Sequence, residues 1–447
     1  MINNRFLKII GPRLINLPYM GLYLERFLSP ILIVFKWFLP KRVFALTAEI
    51  LELARLASKF AGTTNESPKN VIFVNRNFMQ GQIGGVNFLI ALLAFGLKAR
   101  GHNVTILCES PKPWMVSTEI NGVAILGIRP KLFFLKHSSP PFYAGWSRSV
   151  ESYLDCLSSE NKSINVFATI AGLETFRSRK LPSNINSLCY LVTDHIIHKF
   201  GTDVPPPKSG RISKFIKSER QFLSSKDVHI VGDSRVIVED ISRVLELPDL
   251  VDGTSIIHIG WPKNDHYEEL VLPTGKLVTC IGAVSARKGT RTLIDAWKLI
   301  CDDPKLADTF LAICGPTSDD PESEAIISDS PKKDRIIRIK NMNEGQKSFI
   351  LSRSDLVVIP SNYESFGIVA VEAMQRGCQI IASHVGGLPE VLGDCGHFFT
   401  PGKSVELAKK IEEVLCGASY IPEGKVLERS DQFDFEKMLV AFEEVFK

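Results

Sequence analysis

The motif D-x-D is absent from all 447 residues, so the carboxylate pair that commonly holds a divalent ion beside a phosphate is missing. Nine cysteines are scattered with no C-x2-C pair, and several lie in apolar strand-like runs such as Val278-Thr-Cys280-Ile and Ala312-Ile-Cys314-Gly. That pattern excludes a zinc site and a disulfide frame, and predicts small, reduced core residues of a cytosolic protein. The first 66 residues offer no membrane span: the apolar run 27–35 stops at nine residues and contains Pro30, where a helical span needs about 18. A cleaved signal peptide is not expected either, because no small-residue cleavage site follows an early apolar core. The Gly-rich loop after the first predicted strand lacks the G-x-G-x-x-G spacing, which argues against a nicotinamide cofactor.

Charge is also scarce as a net quantity, at +4, but it is unevenly placed. Residues 1–42 carry Arg5, Lys8, Arg13, Arg26, Lys36, Lys41 and Arg42 against Glu25 alone, which leaves the remaining chain slightly negative. A nucleic-acid binder spreads basic charge over a folded face, so that class is disfavoured. The basic residues sit instead among Leu, Ile, Phe, Trp and Tyr, a composition suited to an anionic membrane surface. The alternative packs this segment on the protein body as an N-terminal arm. Residues 41–60 follow with helical apolar spacing.

What is present is the make-up of a globular protein, 45% apolar and 23% charged, and too long for one ordinary core. After a linker at 62–68, a strand at 70–74 leads into Gly81-Gln-Ile-Gly84-Gly85, a helix at 88–99, a stop at Gly101-His102 and a strand at 103–107. This is a βαβ opening of the Rossmann type. Further strands are expected at 164–170, 188–193 and 227–231, with a helix over 236–247. A second alternating unit begins with a strand at 276–281, a turn at 282–289 carrying Arg287 and Lys288, and a helix at 290–300. Strands at 310–314 (ending before Gly315), 336–339 (before Asn341-Met342-Asn343) and 379–382 continue it. An amphipathic helix over 433–446 closes the chain.

The most informative stretch is 364–372, ESFGIVAVE. The run 355–360 before it reads as a buried strand, and the apolar spacing after Gly367 as a helix start. A strand, tight loop and helix start present free backbone N–H groups, here at Ser365, Phe366, Gly367 and Ile368, which suit an anion such as a phosphate. Glu364 lies in the loop and Glu372 a little over one turn into the helix, where both can accept hydrogen bonds from sugar hydroxyls. The plainer reading makes Glu364 a helix cap and Glu372 a solvated helical side chain.

This segment resembles the E-x7-E signature of retaining glycosyltransferases of family 4, which have the GT-B fold. That fold is α/β, with two Rossmann-like domains facing each other across a cleft. The resemblance continues through HVGGLPEVLGDCGHFFTPGKSVELAKKIEEVL at 384–415 and, more weakly, over 70–446. It implies an N-terminal arm (1–66), an acceptor domain (67–265), a donor domain (266–430) and a last helix (431–447) returning to the first domain. It further implies that Lys288 neutralises the donor diphosphate. Gly84 and Gly85 let the backbone approach the donor, and His195 stands beside the reacting sugar. Glu364 holds the donor sugar, Glu372 the ribose, and the segments at Gly315 and Met342 border the nucleotide. Ala283 departs from the family, which commonly has an arginine there, and Arg287 is the substitute the sequence offers.

The activity so implied is transfer of a hexose-type sugar from a nucleotide-sugar donor to a glycan or lipid-linked acceptor. It would proceed without a metal or other cofactor, at the inner face of the membrane, as in polysaccharide biosynthesis. A sugar-nucleotide epimerase of the same fold and an inactive membrane-associated scaffold are the competing expectations.

Overall fold

The computed structural model describes residues 48–63, 67–76, 78, 85–110, 116–128, 140–158, 163–168, 185–192, 217, 219–225, 228–317, 321–330 and 332–446. The basic segment 1–42, Gly84 and His195 lie outside the described residues.

The first lobe opens with helix α1 (Ala48–Phe60), strand β1 (Asn70–Val74) and helix α2 (Gly85–Ala99). It continues with β2 (Asn103–Glu109), β3 (Val116–Ile120), β4 (Val123–Ile128), α3 (Pro140–Ser158), β5 (Ile164–Ala168), β6 (Ile185–Val192), β7 (Val228–Gly232), α4 (Arg235–Leu245) and β8 (Thr254–Ile256). The strands form one sheet in the order β3-β4-β2-β1-β5-β6-β7-β8. Every pairing is parallel except β3 with β4. That hairpin turns on Asn121 and Gly122, both at positive φ (47° and 80°), as a two-residue turn between twisted strands requires.

The second lobe holds β9 (Lys276–Ile281), α5 (Thr290–Ile300), β10 (Thr309–Cys314), α6 (Pro321–Ser328), β11 (Ile336–Ile339), α7 (Glu344–Ser352) and β12 (Leu356–Ile359). After it come α8 (Ile368–Met374), β13 (Gln379–Ser383), α9 (Leu388–Leu392), β14 (His397–Phe399), α10 (Ser404–Leu415), α11 (Glu423–Ser430) and α12 (Phe435–Val445). Its sheet is wholly parallel, in the order β11-β10-β9-β12-β13-β14. Strands such as β12 are buried throughout because helices cover both faces of the sheet. Such strands read as continuous apolar runs. In each sheet the first strand is central, with the chain wound outward on both sides. The crevice beyond the strand ends therefore falls beside β1 and β9.

The last helix packs on the first lobe. Leu439 and Phe435 of α12 press against α2 at Gly96, where a Cβ would come within 2.9 Å of both side chains. A buried ion pair fixes the contact: Arg100 donates two 2.8 Å hydrogen bonds to Glu443. His102 Nδ1 accepts from the Lys69 amide, so its Nε2 carries the proton directed at Glu443, 2.7 Å away. Lys69 caps the end of α12 through the carbonyls of Glu443 and Phe446. The chain passes between the lobes at 257–273 and again near 431–434. The two crossings touch where the Trp261 amide donates to the Phe433 carbonyl at 3.1 Å.

Most cysteines are buried or half-buried, and burial pushes the Cys280 and Cys314 thiols up to about 12. Cys156 and Cys416 are exposed, which corrects the expectation of core cysteines throughout: Cys156 lies on the solvent side of α3 and Cys416 in the turn that ends α10. Among the described residues no helix is long and apolar enough to cross a membrane.

Candidate functional site

Two loops at the carboxyl ends of β9 and β12 build the centre of the site. The first, 282–289, ends on Gly289 at φ 71°, where a Cβ would lie 1.8 Å from the Pro360 carbonyl oxygen. Only glycine allows that approach. It brings the loop against 361–367, and Asn362 stitches the two together: its amide donates to Arg287 O and its side chain to Ala286 O, both at 2.8 Å. Lys288 Nζ is thereby delivered 2.5 Å from Glu364 Oε2, which also accepts from Ser361 Oγ at 3.1 Å. The two side chains are 22% and 15% exposed, so the pair is neither sealed nor fully solvated.

Glu364 is fixed from behind as well. Gly387 N donates to its carbonyl at 2.9 Å, and Gly386 packs so closely on that carbonyl that a Cβ would stand 1.9 Å away. Burial alone would raise the carboxyl pKa. Lys288, with help from Arg287 and Ser361, outweighs burial and holds it below the ordinary range. Glu364 therefore does not cap the next helix; Gly367 occupies that position with no side-chain cap. Phe366 points its ring inward against His258 and Phe433, leaving its backbone to the loop. From the opposite lobe, Gly85 starts α2 with its Cβ direction 3.7 Å from Ile368. This contact brings one glycine of the first loop to the start of α8.

Gly315 (φ 132°) follows β10 and lies against Gly282, whose carbonyl oxygen would be 2.2 Å from an added Cβ. Arg338 clasps the same turn through the carbonyls of Ile313, Gly315 and Ile339. Met342 is half-buried over the edge of β10 and β11, just ahead of α7. Asn343 opens α7 with a reciprocal capping box to Gln346.

Glu372 is not gathered with Glu364. It is buried beneath α7, with Lys347 Nζ at 2.5 Å from its carboxylate and 2.8 Å from that of Glu344. The same ammonium lies over the Trp261 ring at 5.0 Å. Burial, with the charge of Glu344, raises the Glu372 pKa to about 7 against the pull of Lys347. The two neighbouring carboxylates in turn raise that of Lys347, although burial opposes them. One ammonium between two carboxylates explains both directions. From the N-terminal arm, Glu52 of α1 accepts the Glu344 amide at 2.9 Å, so the arm reaches the same cluster.

Sequence reasoning missed Lys347 and Glu344, and also a set of contacts across the cleft from α4. Ser234 Oγ donates to Ser365 O, Tyr363 donates to Asp240, and Glu390 receives the first amides of α4. Glu390 lies in the 384–415 stretch that carries the family resemblance, but no local signal marks its contact or those of Ser234 and Asp240, because the partners lie more than 120 positions away in the chain.

Residues 263–420 match the family profile described as "Glycosyl transferases group 1". The chain is 22% identical over 333 residues to an uncharacterized glycosyltransferase of Methanocaldococcus jannaschii, covering 69% of this chain and 79% of that protein. It is 23% identical over 357 residues to a D-inositol 3-phosphate glycosyltransferase of Corynebacterium aurimucosum, covering 75% and 83%. Among solved structures, the sucrose-phosphate synthase of Thermosynechococcus elongatus superposes with a TM-score of 0.67 at 19% identity, over 85% of this chain and 98% of that one. The two largely parallel sheets and the profile over the second lobe agree: the chain has the GT-B fold, and its residues 263–420 belong to the glycosyl transferases group 1 family.

Proposed function

We propose that this glycosyltransferase moves a hexose-type sugar from a nucleotide-sugar donor to a glycan or lipid-linked hydroxyl, with retained anomeric configuration and without a metal. The observation that carries the reading is the Lys288–Glu364 pair, a cation and a sugar-type acceptor on adjoining loops at the rim of β9 and β12. The leaving group would be a nucleoside diphosphate, so negative charge grows on phosphate oxygens as the glycosidic bond breaks. Lys288 is the nearest side chain able to take up that charge, and Arg287 stands next to it where Ala283 offers none. The seven-residue α8 is too short for a strong macrodipole, so the amides at 366–368 are assistants to Lys288. When the diphosphate engages Lys288, Glu364 is freed to accept hydrogen bonds from the donor sugar. Glu372 is assigned to the ribose and His195 to the reacting sugar by family resemblance.

The same reading divides the chain into an arm (1–66), an acceptor lobe (67–265), a donor lobe (266–430) and a returning helix. It rests residues 1–42 on an anionic membrane surface at the cytoplasmic face, since their basic charge lies among aromatic and aliphatic residues.

The test is a thermal-shift screen of UDP-, GDP- and ADP-sugars on the wild type, Lys288→Ala and Glu364→Gln. Stabilisation of the wild type that both variants lose supports the assignment. Stabilisation retained in both would overturn it. Anomeric configuration is then read on the product by NMR.

A further inference from the structure

The residues on either side of Glu364 are both held by one helix of the opposite lobe. Tyr363 Oη donates to Asp240 Oδ2 at 2.9 Å, and Ser365 O accepts from Ser234 Oγ at 2.7 Å. Asp240 and Ser234 belong to α4: Ser234 is its N-cap, in extended conformation, and also accepts from Ile237 N at 3.3 Å. One hydroxyl thus closes the start of its own helix with a lone pair and spends its proton on the donor loop.

The second lobe answers with Glu390 of α9. Its carboxylate accepts from Arg235 N at 2.8 and 3.1 Å and from Val236 N at 3.3 Å, the amides that a helix start leaves without partners. His258 Nε2 stands 2.7 Å from the same carboxylate. A carboxylate at the positive end of a helix is stabilised there. Each lobe therefore places a group on the other's open backbone positions, and the contacts bracket the loop that presents Glu364.

We propose that Ser234, Asp240 and Glu390 are positioning residues: with the lobes closed, α4 holds the 363–366 loop and sets the Glu364 carboxylate where Lys288 and the donor need it. Opening the lobes breaks all of these bonds together, so the donor site is complete only in the closed enzyme. This rests on the assignment of Glu364 to the donor sugar. None of the three residues touches the donor in this scheme; they act through the loop.

The experiment compares the full-length wild type with Ser234→Ala, Ser234→Thr, Tyr363→Phe, Glu390→Ala and the double variant S234A/Y363F. Two readouts are taken: steady-state kinetics with the nucleotide sugar that passes the screen above, and small-angle scattering without any sugar and with UDP, GDP or ADP. The double variant is expected to lose up to about 100-fold in kcat, the scale of a small misplacement of a reacting group. Ser234→Thr should recover most of the activity lost by Ser234→Ala, since it keeps the hydroxyl. Glu390→Ala and the double variant should show a larger radius of gyration than the wild type. A double variant whose kcat stays within about twofold of wild type would overturn the proposal. Should no nucleotide sugar be turned over by the wild type, the donor reading fails and scattering alone decides. In that case identical curves for wild type, Glu390→Ala and S234A/Y363F would overturn the closure contacts.

Discussion

Lys288 and Glu364 meet at 2.5 Å although 76 positions separate them in the chain. Replacing Lys288 by Ala strips Glu364 of the partner that depresses its pKa and, on the proposed function, removes the cation assigned to the diphosphate. The expected loss in kcat is about 100- to 1,000-fold, the range seen when one preorganised charge-stabilising donor is deleted. A second consequence concerns acid stability. A depressed carboxyl contributes stability above its unfolded value of 4.5, lost as pH falls through the folded value. The variant should therefore melt with less dependence on pH below 4.5 than the wild type. Initial rates and melting curves across pH check the two statements separately.

Glu372 has the opposite sign. Its carboxyl is raised from 4.5 to about 7 by burial and by Glu344. An acid raised in the folded state binds its proton more tightly when folded, so its contribution is full below 4.5 and declines as pH rises toward 7. Glu372→Gln should flatten the fall in melting temperature across that window. Glu344→Gln, which removes the competing negative charge, should reduce the slope as well. The quantity to compare is the slope between variants, because the substitutions also change the level.

Arg100 and Glu443 test what holds the last helix to the first lobe. Both side chains are only 4% exposed, so Glu443→Ala leaves a guanidinium buried without its main partner. Breaking a buried pair from one side costs about 3–5 kcal/mol. Replacing both, as in Arg100→Met with Glu443→Leu, is expected to recover most of that, since neither charge then needs compensation. Melting temperatures of the single and double variants decide it.

Much of this fold was legible because its parallel strands are covered on both faces. The runs 70–74, 276–281 and 336–339 are strands with the bounds their apolar patterns give, and 290–300 is a helix with the same agreement. The hairpin at Asn121-Gly122 carries its own turn signal in the Asn-Gly dipeptide between two alternating stretches. In the site, the spacing of Glu364 and Glu372 located a loop and a helix face, but spacing along one element says nothing of what packs over it. Lys347 reaches Glu372 because α7 lies across α8, which separates the two carboxylates into different ion pairs. The contacts of Ser234 and Glu390 are illegible for the same reason: the one is an ordinary cap and the other a helical residue of a quoted motif until the other lobe arrives. Cys156 and Cys416 depart from the core expectation because composition cannot tell the outer side of a helix, or the turn at a helix end, from the interior.

The junction between the lobes offers a test in which two identical substitutions should act in opposite directions. Gly260 lies where the chain passes between the lobes, and a Cβ there would stand 2.3 Å from the Asp434 carbonyl oxygen and 2.8 Å from Phe435 Cα. Both obstacles are backbone at the start of α12, so neither can swing aside as a side chain would. Gly260→Ala must push the two crossings apart, at a cost of about 1–3 kcal/mol typical of overpacking. Gly424 sits in the first turn of α11 with nothing within 4 Å of its Cβ position. Gly424→Ala there only restricts the unfolded chain and should stabilise by about 0.4–1 kcal/mol. Melting temperature should therefore fall for Gly260→Ala and rise for Gly424→Ala. An unchanged melting temperature for Gly260→Ala would mean that the two crossings are not in contact in solution.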